Sequence, residues 1–222
     1  PICFYIHKKG RNTVKENLFT ELTERYPALN SCVREVKISC QILTEAMKKG
    51  NKILLAGNGG SCADCEHISG ELLKGFLSKR PLTDTDKQAF FPYENGAILA
   101  GQLQYGIPAL PLPAFSSLST AFCNDVEPNA VYAQLVMALG KPGDVFIGLS
   151  TSGNAKNICQ AAITAKVRGL KVIGLTGMGG GKLADLCDCC IQVPETETFK
   201  VQELHLPVYH CICAVLEAEF FK

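Results

Sequence analysis

Lys52–Leu72 reads KILLAGNGGSCADCEHISGEL. Ile53–Ala56 is apolar without alternation, as a strand buried on both faces requires. The run breaks at Gly57-Asn58-Gly59-Gly60-Ser61, and helical spacing of apolar residues follows. Strand, glycine turn, helix is the opening of a βαβ unit. It predicts a parallel sheet, with a loop of free backbone N–H groups at a strand's carboxyl end.

The same grammar recurs downstream. Four further short apolar runs end in glycine, serine or proline: IPALPLP (107–113), DVFIGLS (144–150), KVIGLTG (171–177) and CCIQVP (189–194). The prolines of the first suit an edge strand better than a central one. Helical patterns stand between the others: NAVYAQLVMALGKPG (129–143), NAKNICQAAITAKVRG (154–169) and GGKLADLC (180–187). Such alternation predicts right-handed crossovers and an open, doubly wound α/β sheet, mainly parallel and five-stranded. Residues 1–50 read as N-terminal helices, with Gly50 after Lys48 and Lys49 as a helix end. The α/β core spans 51–197 and a C-terminal helix 198–222, in one domain over 1–222. Residues 78–106 fit no simple unit and are expected as a helical insertion on the surface.

Composition narrows the function classes. The chain has 222 residues, 47% apolar and 19% charged, with a net charge of +1. A substantial core is available and no long basic run marks a nucleic-acid surface. No apolar run reaches the length of a membrane span. The N-terminal PICFYIHKKG places its charges after its apolar residues, the reverse of a secretion signal. The twelve cysteines are read as reduced, mostly buried thiols of a cytoplasmic protein. Only Cys62 and Cys65 have zinc-knuckle spacing, and they fall where a helix should start.

Two strand ends carry unusual loops: GNGGS (57–61) and STSGNAKN (150–157). Small residues, hydroxyls and unpaired N–H groups at a helix start stabilise an anion. Neither loop has the lysine of a nucleotide triphosphate loop or the pattern of a dinucleotide fingerprint. A sugar phosphate needs one anion cradle and hydroxyl partners, which these residues supply. The plain alternative is two tight turns with helix caps. His67 and Glu71 stand four apart, on one helix face behind the first loop. VQELHLPVYH (201–210) adds Gln202, Glu203, His205 and His210. Gln202 and His210 are eight residues apart, roughly 80° out of line on an ideal helix, and Pro207 between them predicts a kink or bulge.

Taken together, GNGGSCADCEHISGEL, CNDVEPN, GLSTSGNAKN, GLTGMGGGKLADLCD and VQELHLPVYH resemble the sugar isomerase (SIS) domain family, specifically its phosphoheptose isomerases. The resemblance covers most of the chain from about residue 15. It implies an aldose–ketose isomerase converting sedoheptulose 7-phosphate to D-glycero-D-manno-heptose 7-phosphate through an enediol. It implies a homotetramer with active sites at subunit boundaries, and one zinc ion per subunit. By position, Asn58, Gly59, Gly60 and Ser61 match the substrate loop, and Asn124 and Asp125 a substrate-contacting pair. Ser150, Thr151 and Ser152 match the hydroxyls that grip phosphate. His67, Glu71, Gln202 and His210 match metal-binding positions, with Gln202 also at the substrate. Glu71 matches the catalytic base and His210 the acid. Ala155 replaces a serine of the family pattern, and PLPAFSSLSTAF (111–122) lacks a frequent aspartate. The main rival is a non-catalytic SIS-domain protein that binds phosphosugars or regulates; the other is an isomerase of a different ketose phosphate.

Overall fold

The computed structural model describes residues 8–221, so the PICFYIH stretch lies outside the described residues. In chain order the elements are α1 (Lys8–Arg25), α2 (Val33–Lys48), β1 (Ile53–Ala56), α3 (Gly60–Leu73), α4 (Asp84–Gln88) and α5 (Gly96–Gln102). There follow β2 (Ala109–Pro111), α6 (Ser116–Asp125), α7 (Val131–Leu139), β3 (Val145–Leu149), α8 (Lys156–Val167), β4 (Lys171–Thr176), α9 (Gly181–Leu186), β5 (Cys189–Gln192) and α10 (Thr198–Phe221).

The five strands form one parallel sheet in the order β2-β1-β3-β4-β5. The proline-rich strand is an edge, as a residue without N–H demands. Chain direction across the sheet reverses between β1 and β3. At such a switch point the connections diverge and leave a crevice beyond the strand ends.

Alternation along each strand splits the core in two. Ile53, Leu55, Val145, Ile147, Leu149, Ile173 and Leu175 face the layer of α1, α2, α3 and α10. Leu54, Ala56, Phe146 and Val172 face α7, α8 and α9. Each fully buried Leu, Ile or Phe contributes about 1.5–3 kcal/mol of transfer free energy. Burial on both faces is why the strands read as unbroken apolar runs.

Helix α10 is long and apolar enough to cross a membrane by composition, with mean hydropathy 1.2, but 78% of that window is buried inside the protein. It is helical without a break from Thr198 to Phe221, with Pro207 inside it. Pro207 removes one donor, from the carbonyl of Glu203. Glu203 is exposed, and water can take that place.

Helix α3 ends at Leu73, although the helical spacing of apolar residues in the sequence runs from Ser61 to Leu77. The chain then turns under α10. Main-chain N–H groups of Phe76, Leu77 and Ser78 donate to Glu217, at 2.8, 2.9 and 3.0 Å. Arg80 Nε donates to the same carboxylate at 2.9 Å, both side chains fully buried. Residues 81–106 hold α4 and α5 and fold back through an antiparallel bridge, Pro81 to Gln104. All eleven described cysteines are free.

Candidate active site

The crevice at the switch point is built from the two glycine loops. The loop after β1 begins α3 with Gly59 at φ +56°, and the loop after β3 begins α8 at Ala155. Neither helix start carries a side-chain cap. Two uncapped N-termini at adjacent strand ends give a concentration of N–H donors and positive dipole ends. The loops are clamped by a reciprocal amide pair. Asn58 Nδ2 donates to Asn157 Oδ1 and Asn157 Nδ2 to Asn58 Oδ1, both at 2.9 Å.

The hydroxyl loop is rigid from below. Ser150 is buried and its Oγ accepts from Ala155 N–H at 3.4 Å. Thr151 carbonyl accepts from Gly177 N–H at 2.9 Å. Gly153 has φ +66°, and a Cβ there would sit 1.9 Å from the Gly180 carbonyl oxygen, so only glycine lets α9 dock on this loop. Ser152 is exposed, with Oγ accepting from Asn154 N–H at 3.2 Å. Ser61 is buried behind the first loop.

Helices α3 and α10 pack side by side with the same direction. Gly60 meets Gln202, and His67 meets His210, about two turns further along. The glycine leaves room at the first contact, where a Cβ on residue 60 would approach the Gln202 amide nitrogen to 2.6 Å and shift that side chain. At the second contact three groups meet. His67 Nε2 lies 3.3 Å from Glu71 Oε1 and 3.4 Å from His210 Nε2. Glu71 Oε2 points away, 3.4 Å from Lys74 Nζ. His210 is half-buried, and burial, with His67 next, holds its pKa below the ordinary imidazole value. It opens on a 160 Å³ cavity that Arg25, Tyr26, Phe76 and Pro207 also line.

Two residues here were missed in the sequence. Tyr209 hydroxyl donates to Asp64 Oδ1 at 3.2 Å and lies 3.0 Å from His67 Nδ1. With its proton on the carboxylate, the tyrosine oxygen accepts Nδ1–H. That bond orients the ring with Nε2 toward Glu71 and His210. Burial raises the Asp64 pKa, against the lowering hydrogen bond from Tyr209, and its Oδ2 is buried without a partner. Asp64 stands one turn before His67, and Tyr209 adjoins His210. That spacing was the available signal.

The structure thus gathers His67, Glu71 and His210 in one cluster. It places Asn58 to Ser61 and Ser150 to Ser152 around the crevice, and Gln202 at its Gly60 wall. Asn124 and Asp125 are exposed at the end of α6 and bond to each other, at 2.9 Å, rather than to either loop. Cys65, on α3, is buried, its pKa driven well up by desolvation. Among the described residues, no three His, Cys, Asp or Glu side chains form a ready-made metal cage.

Comparison with known proteins agrees with this geometry. The SIS domain family model matches residues 114–214. The phosphoheptose isomerase of Aneurinibacillus thermoaerophilus is 41% identical over 185 residues, 82% of this chain and 81% of the relative. Phosphoheptose isomerase 2 of Campylobacter jejuni is 42% identical over 177 residues, 80% of this chain and 76% of the relative. The solved phosphoheptose isomerase from Neisseria gonorrhoeae superposes with a TM-score of 0.70 at 27% identity, over 95% of this chain and 99% of that one. With identity of this level along most of both sequences, and one sheet carrying both loops, the chain belongs to the phosphoheptose isomerases, a family built on the SIS domain.

Proposed function

We infer that the chain is an aldose–ketose isomerase acting on sedoheptulose 7-phosphate, with Glu71 as base and His210 as acid. The observation that carries the chemistry is the His67–Glu71–His210 cluster, with Glu71's two oxygens in different surroundings. The phosphate is held at the Ser150–Ser152 loop, where hydroxyls meet the uncapped α8 N-terminus. Glu71 takes the proton from C1 of the open-chain ketose. The electron pair of that bond forms the C1=C2 double bond of an enediol. His210, its pKa lowered by burial and by His67, gives a proton to O2 and takes one from O1. Glu71 then returns its proton to C2, leaving the aldehyde at C1. Asn58 and Gln202 line the wall on which the sugar hydroxyls lie, and Asn124 and Asp125 reach the substrate from α6.

We further propose a zinc ion held by His67, Glu71 and His210. Imidazole and carboxylate are zinc donors, and ligands at 2.0–2.1 Å around a tetrahedral ion stand about 3.3–3.4 Å apart. The 3.3 Å and 3.4 Å separations through His67 Nε2 fit this spacing. When bound, zinc would polarise the substrate carbonyl. Gln202, at Gly60, would need another rotamer to join these three.

We place the enzyme in the cytoplasm and propose a homotetramer. Phe91, Tyr93, Ile98 and Leu103, exposed on the 78–106 arm, support an interface there with another copy. Light scattering of the full chain at a tetramer's mass is the expected result. The function is tested by incubating zinc-replete protein with ketose phosphates of five to seven carbons and following aldose formation. The seven-carbon ester should turn over fastest; no turnover with any member would leave a phosphosugar-binding protein.

A further inference from the structure

Cys187 and Cys190 stand at the far side of the sheet, outside the isomerase site, where α9 turns into edge strand β5. Strand alternation separates the three neighbouring thiols. Cys189 points to α2, accepting from Ser39 Oγ at 3.4 Å and donating to the Glu35 carbonyl at 3.3 Å. Cys190 points to the opposite face, where Cys187 also lies. The register pairs Gly174 of β4 with Cys190 of β5. Gly174 leaves the space that both sulfurs fill: a Cβ there would lie 2.7 Å from Cys187 Sγ and 3.0 Å from Cys190 Sγ. The two thiols interact directly and are both half-buried rather than sealed in the core.

The geometry points to Cys187 and Cys190 as an oxidation site: a C-x-x-C dithiol that closes to a disulfide when peroxide reaches it. The polarity of the pair is set by its surroundings. The neighbouring Cys187, then Thr176 Oγ1 at 3.6 Å and Gln192, favour the Cys190 thiolate over opposing burial, while the Cys187 thiol donates to the Leu183 carbonyl at 3.1 Å. The same thiol–thiol contact, burial and the nearby Asp188 keep the proton on Cys187. Cys190 is therefore the attacking sulfur. Its thiolate attacks one peroxide oxygen, the O–O bond breaks, and the departing hydroxide takes a proton to become water. Cys190 is left as a sulfenic acid. The Cys187 sulfur then attacks Cys190 Sγ, the S–O bond breaks, and the second water leaves with the Cys187 proton. Two thiols lose two electrons and peroxide gains them. Helix α9 ties this pair to the phosphate-side loop, since Leu183 N–H donates to the Gly153 carbonyl at 2.9 Å.

The test is peroxide titration of the reduced full chain, followed by maleimide blocking, trypsin and mass spectrometry. Peptide 183–200 carries Cys187, Cys189 and Cys190. At about one equivalent of peroxide it should lose two hydrogens and two maleimide labels, keep the label on Cys189, and regain both labels after a thiol reductant. Cys187→Ser should abolish the linkage and leave Cys190 as a trapped sulfenic acid. Consumption of the exposed Cys123 first, with Cys187 and Cys190 still labelled, would overturn the assignment. So would oxidation of Cys190 to sulfinic acid in the unaltered chain.

Discussion

Replacing Arg80 by methionine tests the joint that fixes the catalytic end of α3. Arg80 Nε donates to Glu217, while its terminal nitrogens donate to the carbonyls of Leu72 at 2.7 Å and Glu71 at 3.2 Å. The guanidinium thus caps the helix at the residue that carries the proposed base. Its removal leaves a buried carboxylate without its counter-charge, which costs about 3–5 kcal/mol. The three main-chain N–H donors to Glu217 remain and soften the loss. Glu217→Leu should be worse, because it strands those three donors together with the arginine; each unsatisfied buried group costs about 1–3 kcal/mol. Burial alone would raise the Glu217 pKa, but the Phe76 N–H and Arg80 bonds overcome it and keep the carboxylate ionised. Urea unfolding of both variants gives the measurement. Arg80→Met should lower stability by about 3–5 kcal/mol, which is roughly 6–20 °C in Tm for a domain of this size. A loss under about 1 kcal/mol for Arg80→Met, or a milder effect for Glu217→Leu than for Arg80→Met, would refute this view of the joint.

Three further predictions follow from single residues. Ala155, at the start of α8 with extended backbone (φ −62°, ψ 116°), has cap geometry without a cap side chain; Ala155→Ser should add about 1 kcal/mol in thermal unfolding and lower KM for the phosphate ester. His205 is fully buried, its ring nitrogens make no normal hydrogen bond, and desolvation lowers its pKa to about 4. The unfolded chain therefore binds a proton near pH 6.5 that the folded chain refuses. The His205 contribution is complete above pH 6.5 and is lost as pH falls from there to 4, by about 3 kcal/mol; denaturant melts of His205→Gln across that range should show a flatter acid slope. Asp64→Asn, which weakens the Tyr209 link to His67, should cut kcat about 10–100-fold with KM and Tm nearly unchanged; a loss under twofold would remove Asp64 from the positioning role.

Much of the fold was legible because buried parallel strands leave unbroken apolar runs, and glycine turns mark their ends. The edge position of β2 followed from its prolines. The end of α3 was not legible, since Glu217, some 140 residues away, provides the acceptor that pulls Phe76–Ser78 out of the helix. His67 and Glu71 could be placed on one face from local spacing alone. Their meeting with His210 depends on α3 and α10 lying alongside each other, which only the folded core sets. Pro207 marks the loss of one hydrogen bond inside α10, and the helix continues through it from Thr198 to Phe221. Gln202 packs on Gly60 because that glycine leaves a hollow no sequence period reports.

The central claim is that Glu71 moves the carbon-bound proton. The direct measurement is the rate of aldose formation from sedoheptulose 7-phosphate by zinc-replete protein and by Glu71→Gln, with circular dichroism confirming that both are folded. The account predicts full folding and a fall in kcat of at least about a hundredfold, the lower range for a positioned acid–base group. Near-normal turnover by Glu71→Gln would contradict it.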